Sequence, residues 1–113
     1  MISHPEISTD AMMRREVYKI ASAPGFRAEF ISQLDYAFGG RRGWCGVDDD
    51  GNFYINSSTA GWNSALYKTC ARLGHHKLWS WYDALPWSDS DEIDGIFEDC
   101  LLGINPFKQE NMV

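Results

Sequence analysis

The sequence predicts a small, mainly helical α+β domain in which a short antiparallel β-hairpin packs on helices. Three observations support this fold class. Apolar residues recur at helical spacing in much of the chain, a glycine-containing turn separates two short apolar runs, and glycine or proline lies at the boundaries of the helical patterns. The length of 113 residues fits one domain with one core.

Two helices are predicted in the first third of the chain. The first begins near Thr9 or Asp10, because either side chain can cap free backbone amides, and it stops before Pro24. The second begins at Pro24, since proline suits a first helical turn, and the pair Gly39 and Gly40 ends it.

A β-hairpin is predicted next, with strands at residues 44–47 and 53–55 and a turn at residues 48–52. Two strands alone are marginally stable in water, so the hairpin must pack on helices or recruit a third strand. Residues 78–82 are the candidate for that strand, although the segment before Pro86 also fits a short helix.

Two further helices are predicted in the second half. The first has possible caps at residues 57–59, an apolar face that includes Trp62 and Cys70, and an end at Gly74. The second follows the polar residues 88–91 and ends at Gly103.

The whole chain, residues 1–113, is predicted to form a single domain. We expect the folded core to cover residues 8–104 and a flexible tail to cover residues 105–113, since the tail contains Pro106 and is mostly polar. Three widely spaced cysteines do not form a disulfide pattern, and the first residues lack the layout of a secretory signal. These features, with the lack of a long apolar run, favour a cytoplasmic location and no membrane partner.

Negative charge is concentrated near the carboxyl end. Residues 79–113 contain one lysine and eight acids, namely Asp83, Asp89, Asp91, Glu92, Asp94, Glu98, Asp99 and Glu110. On a helix from about Ser90, Asp91, Asp94 and Glu98 are expected to share one side, opposite the apolar residues. This stripe attracts a basic partner, or it merely keeps the surface soluble, in which case Arg14, Arg15 and Lys19 could neutralise it internally.

The sequence has no pattern that defines a metal, cofactor or catalytic site. The acids before Gly51 do not match a calcium loop, because Gly46 and Ser57 occupy its first and last positions, so a tight turn is the better interpretation. Cysteines and histidines lack paired zinc spacings.

Two other kinds of function stay open at this point. Cys45 with His75 or His76 could form a thiol–imidazole pair in a small enzyme or ligand-binding domain, with a pocket between the hairpin and the segment Trp79–Trp87. Arg41, Arg42 and Trp44 could contact nucleic acid instead. The net charge of −6 makes direct nucleic-acid binding the less favoured alternative.

The leading hypothesis is a non-enzymatic inhibitor, of the immunity or phage anti-defence type, that covers a basic surface on a nuclease, toxin or nucleic-acid-handling complex. Carboxylates would take the places of phosphates, and partly exposed aromatic rings would supply contact area. The expected binding residues are Asp89, Asp91, Glu92, Asp94, Glu98, Asp99, Trp79 and Trp81.

Overall fold

Helices dominate the architecture and one small antiparallel sheet interrupts them, which confirms the predicted α+β class. The computed structural model describes residues 13–56 and 59–107. Along these ranges the elements are α1 (residues 13–21), α2 (Pro24–Phe38), α3 (Arg41–Trp44), β1 (Cys45–Val47), β2 (Phe53–Ile55), α4 (Thr59–Leu73), α5 (His76–Asp83) and α6 (Trp87–Leu102). The predicted start of the first helix and the caps at Ser57 and Ser58 lie outside the described residues.

Local sequence sets the ends of the long helices as expected. Pro24 opens α2 after the extended residue Ala23, and Gly39 closes it with φ of 76°, a left-handed conformation that other residues adopt at a cost. The Gly39 amide donates to the carbonyl of Asp35. Helices α4 and α6 end in the same conformation at Gly74 and Gly103.

The predicted hairpin is confirmed for residues 45–47 and 53–55, with the pairs Cys45–Ile55, Gly46–Tyr54 and Val47–Phe53 in register, whereas Trp44, expected in the first strand, ends the short helix α3. Asp48 stabilises its turn, because Oδ1 accepts hydrogen bonds from the amides of Asp50 and Asn52, both at 2.9 Å. Cys45 and Ile55 form the pair farthest from the turn and pack against the core, so the hairpin contacts the helices at its open end.

Of the two alternatives for residues 78–82, the short helix before Pro86 is confirmed and the third strand is wrong, because these residues belong to α5. Leu78 and Tyr82 lie four residues apart and are both buried, as helical spacing requires. A strand would have turned Ser80 to the same side, and Ser80 is exposed. Within the described residues, the sheet therefore has two strands.

An aromatic cluster from four helices forms the centre of the core. Phe97 of α6 contacts Phe26 and Phe30 of α2, with ring centroids 6.2 and 5.9 Å apart, Trp62 of α4 at 6.4 Å, and Tyr82 of α5 at 6.1 Å. Trp62 and Phe97 are fully buried. The Phe26–Phe97 contact is stacked and the other three are edge-to-face, and burial of such large rings gives a small domain much of its burial energy.

The end of α6 is tied to α2 and to the residues that follow. Arg27 donates to the carbonyls of Cys100 and Leu101 at 3.0 and 2.7 Å, which satisfies groups that a helix end leaves free. Phe107 is buried against Tyr18, with ring centroids 5.7 Å apart. Within the predicted tail, Phe107 thus packs on the folded core, while residues 108–113 lie outside the described ranges.

Candidate binding cleft

A cleft of about 760 Å³ lies between the hairpin and the helices α5 and α6. Its volume is within the range of natural ligand pockets. The lining combines acids, amides, aromatic rings, one arginine and one thiol: Arg42, Gly43, Trp44, Cys45, Tyr54, Ile55, Asn56, Asn63, Tyr82, Asp83, Leu85, Ser90, Asp91 and Asp94.

Helix α6 supplies two of the cleft carboxylates. The helix begins immediately after Pro86, because the backbone of Pro86 is extended (φ −62°, ψ 159°) and is not helical. Ile93 and Phe97 are buried and fix which side of the helix faces the core. Asp91 and Asp94 are three residues apart, so they share the side that borders the cleft.

Asp94 is a hydrogen-bond acceptor for two aromatic side chains of the core. Its Oδ1 accepts from Trp62 Nε1 at 3.0 Å and from the Tyr82 hydroxyl at 2.5 Å. Both bonds use Oδ1, and Oδ2 accepts no hydrogen bond from the part of the chain that the structure describes. The carboxyl group therefore links the core to the cleft.

Burial perturbs the acid–base behaviour of this pair. The pKa of Asp94 is raised, first because burial removes water from the charged form and further because Asp91 carries like charge, while the two hydrogen bonds act in the opposite direction. Burial and the neighbouring Asp94 also raise the pKa of Tyr82. Tyr82 thus remains a hydrogen-bond donor to Asp94 at neutral pH.

The remaining cleft acids face solvent. Asp83 and Asp91 are exposed, and in residues 13–56 and 59–107 neither forms an ion pair. Arg42 is exposed and lines the same cleft. Three carboxylates against one guanidinium give the cleft a negative potential.

Asp91 and Asp94 share one side of α6, but the acids of this helix differ in their exposure to solvent. Asp94 points its Oδ1 to core aromatics, whereas Asp89, Asp91 and Glu92 are exposed. Glu92 pairs with Arg14, so one of the internal cations considered above does neutralise part of the surface. Glu98 and Asp99 are half-buried, and burial raises the pKa of Asp99.

The two tryptophans expected at the binding surface are both half-buried. Trp79 packs against Tyr67 and Tyr82, with ring centroids 5.4 and 5.7 Å apart. Trp81 lines a shallow depression beside Asp89. Both rings pack against the core, and neither lines the cleft.

The structure separates the residues of the thiol–imidazole alternative. Cys45 lines the cleft, whereas His75 lies in a different groove, where its ring packs on Phe26 with centroids 5.8 Å apart. His76 is the exposed first residue of α5 and is absent from the cleft lining. The pocket position anticipated for this alternative is present, but the imidazole is not beside the thiol.

The basic loop considered for nucleic acid has only part of its expected surface. Arg41 and Arg42 are exposed. Trp44 is buried, and its Nε1 donates to Asp35 Oδ1 at 2.7 Å, while the Arg41 guanidinium lies 5.4 Å from its ring centroid. The ring is thus occupied in the core and by Arg41 and is not free to stack on a base.

Exposed hairpin residues were not among the expected binding residues. Val47, Phe53 and Tyr54 have 54%, 67% and 53% of their surface exposed. Phe53 and Tyr54 are consecutive in β2 and therefore point to opposite faces of the sheet, so both faces of the hairpin are partly open to solvent. The partial burial of Asp94 could have been inferred from the sequence, since this residue lies three positions before the buried Phe97 and thus near the apolar side of α6.

The described residues contain no candidate membrane span or metal cluster, and three comparisons with known proteins found no match. Among the described residues, no helix is long and apolar enough to cross a membrane, and no group of three or more histidine, cysteine, aspartate or glutamate side chains is arranged to hold a metal ion. Neither protein-family models, nor curated proteins, nor solved structures gave a match to the chain.

Proposed function

We propose that the protein is a non-enzymatic inhibitor that binds a basic surface of another protein, namely a nuclease, a toxin or a nucleic-acid-handling complex. The observation that supports this most is the exposure of Asp83, Asp89 and Asp91 around the junction of α5 and α6. Within the described chain, none of the three is paired with a cation. A partner offering arginine or lysine would gain charge-assisted hydrogen bonds from them.

The hairpin supplies the apolar part of the proposed surface. Tyr54 lines the cleft together with Asp91, and Val47 and Phe53 are exposed on the opposite face of the same two strands. Aromatic anchors surrounded by charged groups are typical of protein interfaces. The acids would speed encounter with a basic partner, and the hairpin would slow dissociation.

We place this interaction in the cytoplasm. Cys45, Cys70 and Cys100 carry free thiols, which are typical of proteins in reducing compartments. A nuclease or nucleic-acid-handling partner in the same compartment has the basic, phosphate-binding surface that the proposed inhibitor would cover.

Charge reversal with a matched control tests the proposal. The variant Asp89→Lys/Asp91→Lys and the control Asp49→Lys/Asp50→Lys change net charge equally, and the control positions are exposed hairpin-turn residues that do not line the cleft. Each protein is immobilised and used to capture partners from a lysate of its source cells. We expect the first variant to lose a partner that the control retains, and an added oligonucleotide to compete for that partner. Equal capture by both variants, or capture that the oligonucleotide does not affect, contradicts the proposal.

A small-ligand function is the second candidate, and the volume of the cleft favours it. Cys45 at the cleft wall can be labelled with a thiol reagent, so a ligand that fills the cleft should slow the labelling. Failure of every compound in a metabolite collection to protect Cys45 would contradict this candidate.

A further inference from the structure

We propose that the cleft receives one arginine side chain of the basic partner, held between Tyr54 of the hairpin and the carboxylates of Asp91 and Asp94 on α6. The assignment rests on the proposed function and names the chemical group that its binding surface recognises. Contacts on the hairpin side and on the helix side support it separately.

On the hairpin side, Tyr54 provides an aromatic surface. Its ring packs closely on Gly46, since a Cβ atom built at that glycine would lie 2.7 Å from the ring. The glycine therefore supports one side of the ring, while the tyrosine is 53% exposed and lines the cleft. A guanidinium that stacks on such a ring gains a cation–π interaction.

On the helix side, Asp94 is held in one orientation. The hydrogen bonds from Trp62 and Tyr82 restrain Oδ1, so the carboxylate is oriented before any ligand binds. Asp91 adds an exposed carboxylate to the same cleft. Preorganised acceptors lower the entropy lost on binding.

Arginine fits these two walls better than lysine does. Its guanidinium is planar, so one face can stack on a ring while its edge donates several hydrogen bonds to carboxylates. An ammonium group is compact and more strongly hydrated, and it cannot stack in this way. The aromatic and carboxylate groups together therefore select a guanidinium.

Arg42 lines the same cleft and supplies a distinctive expectation. Its positive charge repels an incoming guanidinium, so its removal should strengthen binding of the ligand. A site for an anionic group would respond in the opposite way, because that ligand would lose its cation.

The probe is the blocked peptide acetyl-Gly-Arg-Gly-amide, with its lysine analogue and its citrulline analogue, which is neutral and has nearly the shape of arginine. Binding to 15N-labelled protein is followed by NMR at the indole N–H of Trp62, which reports on Asp94 through their 3.0 Å hydrogen bond. The indole of Trp81 serves as the internal reference, since it does not line the cleft.

We expect the arginine peptide to shift the Trp62 signal saturably, the lysine peptide to bind at least about threefold more weakly, and the citrulline peptide not to saturate. Asp91→Asn should weaken arginine binding about threefold to fivefold, Arg42→Gln should strengthen it about twofold or more, and Asp49→Asn should leave it unchanged. Equal binding of the citrulline peptide, no effect of Asp91→Asn, or weaker binding by Arg42→Gln overturns the assignment.

Failure of this assignment can be distinguished from failure of the proposed function. The peptide titration uses purified protein alone and needs no partner. If it fails while partner capture still depends on Asp89 and Asp91, only the arginine pocket is rejected. If it succeeds while both charge-reversal variants capture the same proteins, the inhibitor function is rejected and the arginine site stands.

Discussion

Replacing Asp94 with alanine should destabilise the fold more than any other single change of an acid in α6. The substitution removes the acceptor for Trp62 Nε1 and for the Tyr82 hydroxyl at once. Trp62 is fully buried and Tyr82 is 6% exposed, so neither donor can easily turn to bulk water. Both would remain without their partner in the aromatic core.

The size of the effect follows from the two lost bonds. A buried donor without an acceptor costs about 1–3 kcal/mol, so two cost about 2–6 kcal/mol. Alanine also relieves the penalty of a partly buried charge, which the raised pKa of Asp94 reveals. We therefore expect a loss of about 2–3 kcal/mol in the free energy of unfolding, a large fraction of the stability of a small domain.

Urea denaturation followed by tryptophan fluorescence measures this loss. Asp94→Asn keeps an oxygen that accepts both bonds and should cost only about 1 kcal/mol. Asp91→Ala, one turn earlier and exposed, is the matched control and should change the free energy of unfolding by less than about 0.5 kcal/mol. The reasoning is refuted if Asp94→Ala matches the Asp91→Ala control, or if Asp94→Asn costs as much as Asp94→Ala.

Four further predictions follow from the same contacts. The folded state raises the pKa of Asp94 above its ordinary 3.8, so the stabilising contribution of this group is complete below pH 3.8 and is lost as pH rises through the folded pKa. The free energy of unfolding of the wild type minus that of Asp94→Asn should therefore fall across this pH window. A difference that rises with pH would contradict the prediction. Arg27→Ala should lower the free energy of unfolding by about 1–3 kcal/mol in thermal denaturation, because two carbonyls of α6 lose their donor, whereas an unchanged melting curve would exclude this role. Phe107→Ala should cost about 3 kcal/mol in the same assay, and a cost below about 0.5 kcal/mol would show that the residue is not packed. At pH 8 one thiol should react quickly with a disulfide reagent, because burial raises the pKa of Cys70 and Cys100 to about 11. Cys45→Ser should abolish this fast phase. Three equally fast thiols would contradict the prediction.

The cleft and its acids were only partly predictable. Clustering of charge near α6 is visible in the sequence, and Asp89 and Asp91 are exposed as expected. The direction of Asp94 depends on Trp62, which lies 32 residues earlier in the chain. Local spacing places a residue on a helix side, but it does not tell which other helix covers that side.

The choice between strand and helix at residues 78–82 and the burial of Phe107 could not be read from local sequence, for a related reason. The large apolar side chains of residues 78–82 fit the periodicity of a strand and that of a helix. Packing of Leu78 and Tyr82 on the core selects the helix. Phe107 follows a proline in a polar segment, yet it is buried because Tyr18 and Arg15 lie where its ring can pack. No neighbour in sequence indicates either contact.

The sequence by itself determined the features that depend on a few adjacent residues. Pro24 starts a helix, Gly39 and Gly74 end helices, and Asp48 forms a turn, because each acts through its own backbone conformation or a hydrogen bond to a near neighbour. Only the tertiary structure decided where the helices meet. The cleft between the hairpin and α6 exists because aromatic packing around Phe97 brings distant segments together, and the free energy of that packing is a property of the whole core.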